Sequence, residues 1–271
     1  MGIRKNEKNV TAAEWTALIA AMAQIHTVGQ AAPRYPDFVK VHVRAMDASD
    51  HQGMSWHVHS MGTMDGFNFL SWHRYFLLRM EHRLQAINPA ITLPYWDATN
   101  DRAIPARLAD PHLLADWSVN RGVWDASLLA TPVEENAVLG APTFRLFQKT
   151  LEGHIHAGVH NAVGGDMKGS ASPSDPLFFL HHANMDRLWS VWQTAHPGLV
   201  PSNVADTLQP PPLFNTTVSA VQSIATLGYS DMERWMPRWF GLQTGAVLLP
   251  GGGPIRCGRG YAPMPSPGDE M

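Results

Sequence analysis

Two histidines in the second half of the chain have the spacing of metal ligands. His156 and His160 are four residues apart, so on an α-helix both rings project from one face into the same space. A helix supplies two ligands to one metal ion in this way. His154, in the same stretch, is rotated by roughly 200° from His156 at 3.6 residues per turn. We therefore expect His154 to face solvent or to pack elsewhere.

Two adjacent histidines interrupt an apolar segment further along. The stretch LFFLHHANMDRLWSVWQ (177–193) is apolar nearly all round, which is typical of a buried helix. The rings of His181 and His182 diverge by about 100°, so one ring can enter a cavity while the other turns away. Because burying an imidazole without a partner costs free energy, the pair indicates a metal ligand or, alternatively, two hydrogen-bonded core histidines.

A third group of histidines lies upstream, at positions His42, His51, His57, His59 and His73. Three ligands from this half of the chain and three from the other half would make two sites built only from histidine. Imidazole nitrogen suits copper, zinc, iron and nickel. The lack of a nearby thiolate or of clustered carboxylates argues against iron–sulfur clusters, calcium or magnesium. The pattern predicts a dimetal site in the core of a helical bundle.

Three helices are predicted in the first part of the chain, and the second and third of them carry His42 and His73. Thr11 followed by Glu14 forms a capping box, which predicts a helix over 11–26. The stretch PDFVKVHVRAM (36–46) has helical spacing of apolar residues, and SWHRYFLLRMEHRLQAI (71–87) is a stronger helix that ends at an Asn-Pro pair.

The rest of the chain is less regular. The segment 94–141 is rich in Pro, Asp and Trp and is expected to form long loops with short helical pieces. Helical character returns over 142–162, and Asp175-Pro176 is a favourable start for the buried helix. We expect a mainly α fold: a four-helix bundle core that holds a dinuclear site, with long loops.

Composition limits the possible partners. The 271-residue chain carries a formal charge of −3 with 16% charged residues, which argues against nucleic acid or a membrane surface as a partner. No apolar stretch reaches the roughly 18 residues of a membrane span. The basic N-terminus is not followed by the apolar part of a signal peptide. We therefore expect a protein that is cytoplasmic as synthesised and is secreted only with a partner.

Longer motifs carry a resemblance to a known family. They are FLSWHRYFLLRMEHRL (69–84) with LPYWD (93–97), HAGVHNAVGGDM (156–167) and DPLFFLHHANMDRLWSVWQ (175–193), the last with the pattern D-P-x-F-x-x-H-H-x-x-x-D-x-x-W. In order, they resemble the first-copper region, the H-x-x-x-H element and the second-copper region of type-3 copper proteins. This family comprises tyrosinases, catechol oxidases and haemocyanin oxygen-binding domains. The similarity covers about 1–195, and the stretches RKN (4–6) and YPDFVKVH (35–42) look like those of short bacterial tyrosinases.

The resemblance implies two copper ions in a type-3 centre, with O₂ as co-substrate. It assigns one copper to His42, a loop histidine and His73. It assigns the other to His156, His160 and His182, with His181 beside the ligands rather than among them.

The loop ligand is where this chain departs from the family pattern. Relatives usually place it nine residues before the histidine of the WHR motif, and Met64 occupies that position here. We expect His59 to be the ligand, with His57 as the alternative and His51 as a less favoured one.

Two further residues are candidates for catalysis. Glu152 matches a carboxylate that in tyrosinases holds a water thought to act as a base; the alternative is an ordinary helix-surface residue. The residue after the first ligand of the H-x-x-x-H pair is often Asn in tyrosinases, but here it is Ala157. That difference favours o-diphenols or o-aminophenols over monophenols, and Asn161, after His160, is the candidate substitute.

The expected function is a dicopper oxidase of the tyrosinase and catechol oxidase type. It would use O₂ to convert small phenolic substrates to o-quinones: o-diphenols first, with monophenols and o-aminophenols as further candidates. The alternatives are an O₂-binding, haemocyanin-like carrier and a non-copper dimetal enzyme. A separate copper-delivery helper protein is an expected partner.

The expected organisation is a catalytic domain over 1–200 and a C-terminal extension over 201–271 packed on it. Trp235, Trp239 and Phe240 of that extension could cover the site. Asp186 is expected to form a structural ion pair with Arg187; the alternative is that it supports a copper ligand from four residues after His182.

Overall fold

The computed structural model describes residues 2–27, 29–46, 56–60 and 66–231. Throughout these ranges no helix combines the length and hydropathy needed to cross a membrane. Five residues named above lie outside the described ranges: His51, Met64, Trp235, Trp239 and Phe240. The proposal that the C-terminal aromatic residues cover the site therefore stays a prediction.

The first helix begins as its capping box predicts. Helix α1 spans Ala12–His26. The Thr11 hydroxyl accepts from the backbone N–H of Glu14 at 3.3 Å, and the Glu14 carboxylate accepts from the backbone N–H of Thr11 at 2.8 Å. These two bonds satisfy donors that have no partner inside the helix. The helix buries Trp15 and Leu18 against the core.

Two of the core helices lie in the first third of the chain. Helix α2 spans Tyr35–Met46, and helix α3 spans Phe69–Gln85. Short helices α4 (Pro111–Asp116) and α5 (Pro132–Leu139) follow in the segment predicted to be mostly loop. The last helix of the core, α8 (Leu177–Ala195), is buried at every position from Leu177 to Trp189. It makes its most extensive contacts with α3.

The predicted helix over 142–162 is interrupted. Helix α6 (Phe144–Thr150) runs into a π-helical turn at Leu151–Ala157 and then into helix α7 (Gly158–Val163). Gly153 has non-helical torsion angles (φ −65°, ψ −121°) at the kink. A π turn inserts one extra residue into the helical repeat, which the apolar periodicity of the sequence does not show.

Helices α2, α3 and α8, together with the segment 151–163, enclose the centre of the molecule. This arrangement confirms the predicted mainly α fold with a four-helix core and long loops. Aromatic rings fill the contact between α3 and α8: Phe76 stacks on Phe179 with ring centroids 6.0 Å apart and meets Phe178 edge-on at 6.0 Å.

A two-stranded parallel sheet joins distant parts of the chain. Strand β1 (Gly2–Arg4) pairs with strand β2 (Tyr229–Asp231), with Ile3 opposite Ser230. The sheet delivers the guanidinium of Arg4 into the core, where it donates to Glu81 at 2.7 Å and to Asp186 at 2.8 Å. The sequence analysis did not predict this pairing.

The predicted partner of Asp186 is wrong. Asp186 accepts from Arg4, from Arg74 and from the hydroxyl of Tyr229 at 2.5 Å. Neighbouring residues on a helix point about 100° apart. The side chain of Arg187 is therefore directed elsewhere, onto Asp97 at 3.3 Å.

Residues 201–231 lie against the helical core. Phe214 stacks on Trp72 with centroids 4.8 Å apart, and Arg74 donates to the backbone carbonyl of Gln222 at 2.8 Å. Leu208 and Val221 are also buried in the main core cluster. The boundary at residue 200 stays a prediction.

Candidate metal centre

Seven histidines gather in the four-helix core in two groups. Within each group, one side-chain nitrogen from each residue lies within 4.8 Å of the others. The first group is His42, His59 and His73, and the second group is His156, His160, His181 and His182. All six histidines predicted as copper ligands are among them, and their role as ligands stays a prediction.

The first group combines two helices and one loop. His42 comes from α2 and His73 from α3, with ring centroids 5.7 Å apart. His59 comes from the irregular stretch 56–60 and lies 5.4 Å from His42 and 4.9 Å from His73. His57 lies outside the group, because its backbone has a positive φ of 52° and its ring packs against Phe67 at 5.3 Å.

The second group forms where the kinked segment meets α8. The rings of His156 and His160 meet edge to face, with centroids 4.5 Å apart. His182 lies 5.0 Å from His156 and also 4.2 Å from His73 of the first group. His181 is 5.1 Å from His160. Both members of the adjacent pair thus reach the second group, although the sequence analysis placed His181 beside the ligands.

His154 lies outside both groups. Its two ring nitrogens are engaged elsewhere, with the Glu134 carboxylate at 2.9 Å and the Leu128 carbonyl at 3.1 Å. Its half-exposed side chain has the solvent-facing position that its helical phase predicts.

Hydrogen bonds fix which nitrogen faces the centre in four of the seven rings. Nδ1 donates to a backbone carbonyl in four of the histidines: His42 to Ser170 at 2.7 Å, His73 to Phe69 at 2.8 Å, His156 to Glu152 at 3.2 Å and His160 to Met167 at 2.5 Å. A carbonyl only accepts, so Nδ1 carries the proton and Nε2 keeps its lone pair. Metal-binding histidines are oriented in this way.

The Nε2 atoms are buried and have no hydrogen-bond partner among the described residues. This holds for His42, His59, His73, His156, His160, His181 and His182. Leaving so many buried polar atoms without a partner is costly. Two metal ions would satisfy these atoms, so the residues fit a dinuclear metal cofactor.

Burial favours the neutral imidazole, the form that binds metal, at six of these histidines. Burial lowers the pKa of His160 to about 4 and the pKa of His42 well below the usual range for imidazole. Nearby imidazoles make a smaller contribution to both shifts. The pKa is likewise well below the usual range, with burial as the largest cause, for His73, His156, His181 and His182.

Two phenylalanines pack around the histidines. Phe178 stacks on His182 with centroids 4.0 Å apart and meets His42 edge-on at 5.0 Å. Phe69 meets His156 edge-on at 4.8 Å. Both are fully buried and exclude water from the centre. The sequence analysis quoted Phe178 as part of D-P-x-F but gave it no role in the site.

The two candidate catalytic residues, Glu152 and Asn161, each line a cavity that borders the second group. Glu152 is on the π-helical turn, and one of its carboxylate oxygens is 3.6 Å from Nδ1 of His59. Ala157 and Asn161 line a cavity of about 170 Å³ together with His42, His59, His156 and His160. A second cavity includes Glu152 and shares Met46, His59, His156 and Ala157 with the first. The histidine groups are therefore within reach of a small molecule.

Comparison with known proteins identifies the family. Residues 32–123 and 110–195 match the model of the common central domain of tyrosinase. The chain belongs to the tyrosinase family. The match spans every predicted ligand from His42 to His182. Proteins of this family are dicopper proteins that use O₂, and the two histidine groups provide for two copper ions in this one.

Two bacterial enzymes are similar in sequence, and a haemocyanin unit is similar in fold. The chain is 32% identical over 246 residues to the tyrosinase of Streptomyces glaucescens, covering 73% of this chain and 85% of that one. It is 26% identical over 267 residues to the grixazone synthase of Streptomyces griseus, covering 72% and 85%. The fold is similar to a functional unit of octopus haemocyanin, with a TM-score of 0.69 and 23% identity, covering 86% of this chain and 68% of that one.

Proposed function

We propose that the chain is a type-3 copper oxidase that converts o-diphenols and o-aminophenols to quinonoid products with O₂. One observation carries the proposal: two groups of histidines direct buried, unpartnered Nε2 atoms into a centre that borders a cavity. We propose His42, His59 and His73 as ligands of one copper ion. His156, His160 and His182 are the proposed ligands of the other.

The bound copper ions would supply the redox chemistry with O₂, and the chain would supply orientation and proton transfer. Backbone carbonyl groups hold four of the six proposed ligand rings through Nδ1, so these four need little rearrangement when metal binds. Phe69 and Phe178 keep water away from the rings. A phenol has to lose its proton before it can act as a ligand, and Glu152 at the cavity is the proposed acceptor.

The substrate class is tested by oxygen uptake of the copper-loaded protein. We expect rapid uptake with a catechol and with an o-aminophenol, and much slower uptake with the matching monophenol, because Ala157 does not hold a water beside His156. Uptake that is fastest with the monophenol would contradict this order. We also propose that a separate helper protein delivers the copper.

Replacing Ala157 by Asn is expected to raise monophenol turnover about tenfold relative to catechol turnover. The amide would hold a water near Glu152, and a positioned base contributes on the order of 10²–10⁴ in rate. The measurement is the ratio of initial oxygen-uptake rates on the two substrates at equal copper content. An unchanged ratio would contradict a role of residue 157 in monophenol turnover. Asn161→Ala tests the alternative, since it lowers the ratio only if Asn161 already fills that role.

Lysines at the two cavities are expected to favour substrates with a carboxylate. Lys168 lines the first cavity and Lys149 the second. Each is exposed, and neither pairs with a carboxylate of the described ranges. Lys149→Gln and Lys168→Gln should each raise KM for a carboxylate-bearing catechol by about two- to fivefold, since an exposed ion pair contributes roughly 0.2–1 kcal/mol.

The control for this charge effect is an uncharged catechol, whose KM should not change in either variant. Lys8→Gln, on a residue that lines neither cavity, should leave KM for both substrates at the wild-type value. An equal rise of KM for the charged and the uncharged catechol would mean that the lysines shape the cavity rather than attract charge.

A further inference from the structure

His59 differs from the other proposed ligands in its surroundings. His42, His73 and His182 stand on α-helices, and His156 stands on the π-helical turn. His59 stands on irregular backbone, and its Nδ1 lies 3.6 Å from a carboxylate oxygen of Glu152. Something other than secondary structure has to hold this ring in place.

The next residue, Ser60, is held by Glu152 at two points. The backbone N–H of Ser60 donates to Oε1 of Glu152 at 2.7 Å, and the Ser60 hydroxyl donates to Oε2 at 2.7 Å. The carboxylate thus uses both oxygens on one residue, in charge-assisted bonds. Ser60 is adjacent to His59 in the chain, so the bonds restrict the backbone that carries the ligand.

The hydroxyl of Ser60 also contacts the backbone of Gly66. It accepts from the backbone N–H of Gly66 at 3.0 Å. A Cβ on residue 66 would lie 2.7 Å from the backbone nitrogen of Ser60 and 2.8 Å from the carbonyl carbon of His59. Only glycine allows this approach, so the backbone on the two sides of residues 61–65 is brought together beside the ligand.

Glu152 contacts both histidine groups through different atoms. Its carboxylate binds Ser60, next to His59 of the first group, while its backbone carbonyl accepts from Nδ1 of His156 in the second group at 3.2 Å. The side chain is 11% exposed. A single residue therefore links the backbone of one proposed ligand to the ring of another.

We propose that Ser60 and Glu152 form a clamp that positions His59 for copper and fixes the first histidine group relative to the second. This inference rests on the proposed copper sites. Ser60 is a positioning residue here, because it acts through His59 and through Glu152. Losing a partner of this kind typically lowers metal affinity about 10- to 100-fold.

The test is a titration of the full chain with copper against a competing chelator, with no phenol present. Ser60→Ala is expected to weaken one of the two copper-binding events about tenfold or more and to leave the other within about twofold. Ser60→Thr keeps a hydroxyl and is expected to restore the affinity. Glu152→Gln keeps an acceptor for the Ser60 N–H and should fall between wild type and Ser60→Ala.

The matched control is Ser127→Ala. Ser127 donates its backbone N–H and its hydroxyl to Asp125 in a similar serine–carboxylate arrangement on a separate 3₁₀ turn. Both copper affinities should stay at the wild-type value in this variant. Circular dichroism of the metal-free proteins checks that each variant is folded. Wild-type affinity for both ions in folded Ser60→Ala, or equal weakening of both, would overturn the clamp.

Discussion

Replacing His156 with alanine is expected to lower the copper content from two ions per chain to one and to reduce catechol-dependent oxygen uptake to background. The substitution removes a buried Nε2 that has no other partner and whose ring is already held by the Glu152 carbonyl. Type-3 chemistry needs both ions, so losing one removes the reaction rather than slowing it. Metal analysis and oxygen uptake on the same sample measure the two effects.

His154→Ala is the control, because it removes a histidine two positions away that binds Glu134 and Leu128 instead of facing the centre. It should retain two copper ions and full oxygen uptake. A His156→Ala protein with two ions and wild-type uptake would contradict the ligand assignment.

Metal analysis and oxygen uptake of His181→Ala and His182→Ala distinguish the two adjacent histidines. The His182 variant is expected to lose one copper ion, and the His181 variant is expected to keep both.

The largest expected effect on folding comes from Asp186→Ala. Asp186 accepts hydrogen bonds from Arg4, Arg74 and Tyr229, and the side chains in its ion pairs are 0–2% exposed. Removing the carboxylate leaves two buried guanidinium groups with one acceptor fewer each. Breaking a buried ion pair from one side costs about 3–5 kcal/mol. The free energy of unfolding in urea, measured on the metal-free protein, should fall by that amount.

The control for this prediction is an exposed ion pair. Lys8→Met breaks the contact with Asp101 at 3.0 Å, in which the lysine side chain is 60% exposed. Exposed pairs contribute roughly 0–1 kcal/mol, so the unfolding free energy should change little. A loss of less than about 1 kcal/mol in Asp186→Ala would mean that the network adds no more stability than a surface contact.

Local patterns predicted several helices of the fold and part of the metal centre. Thr11 and Glu14 marked the start of α1, and the nearly continuous apolar character of 177–193 indicated the burial of α8. The four-residue spacing of His156 and His160 placed two rings on one face. The type-3 family and the two-copper cofactor came from the motifs, and the comparison with known proteins confirmed the family.

Other features depend on contacts between distant residues. The pairing of β1 with β2 joins residues more than 220 positions apart, and no local propensity encodes it. The acceptor of Arg4 and Arg74 is Asp186 because three separate elements converge there. The sequence left His57 and His59 open as loop ligands. The structure brings the ring of His59 to His42 and His73, and the residue after His59 is hydrogen-bonded to Glu152, more than 90 residues further along the chain.

The copper and oxygen stoichiometry of the purified chain tests the central claim most directly. The account predicts two copper ions per chain and an oxygen consumption that continues as catechol is added and ceases when copper is removed by a chelator. Reversible oxygen binding without consumption would indicate a carrier. Activity that follows zinc or iron rather than copper would indicate a different dimetal enzyme. Either result would contradict the assignment of this chain as a dicopper phenol oxidase.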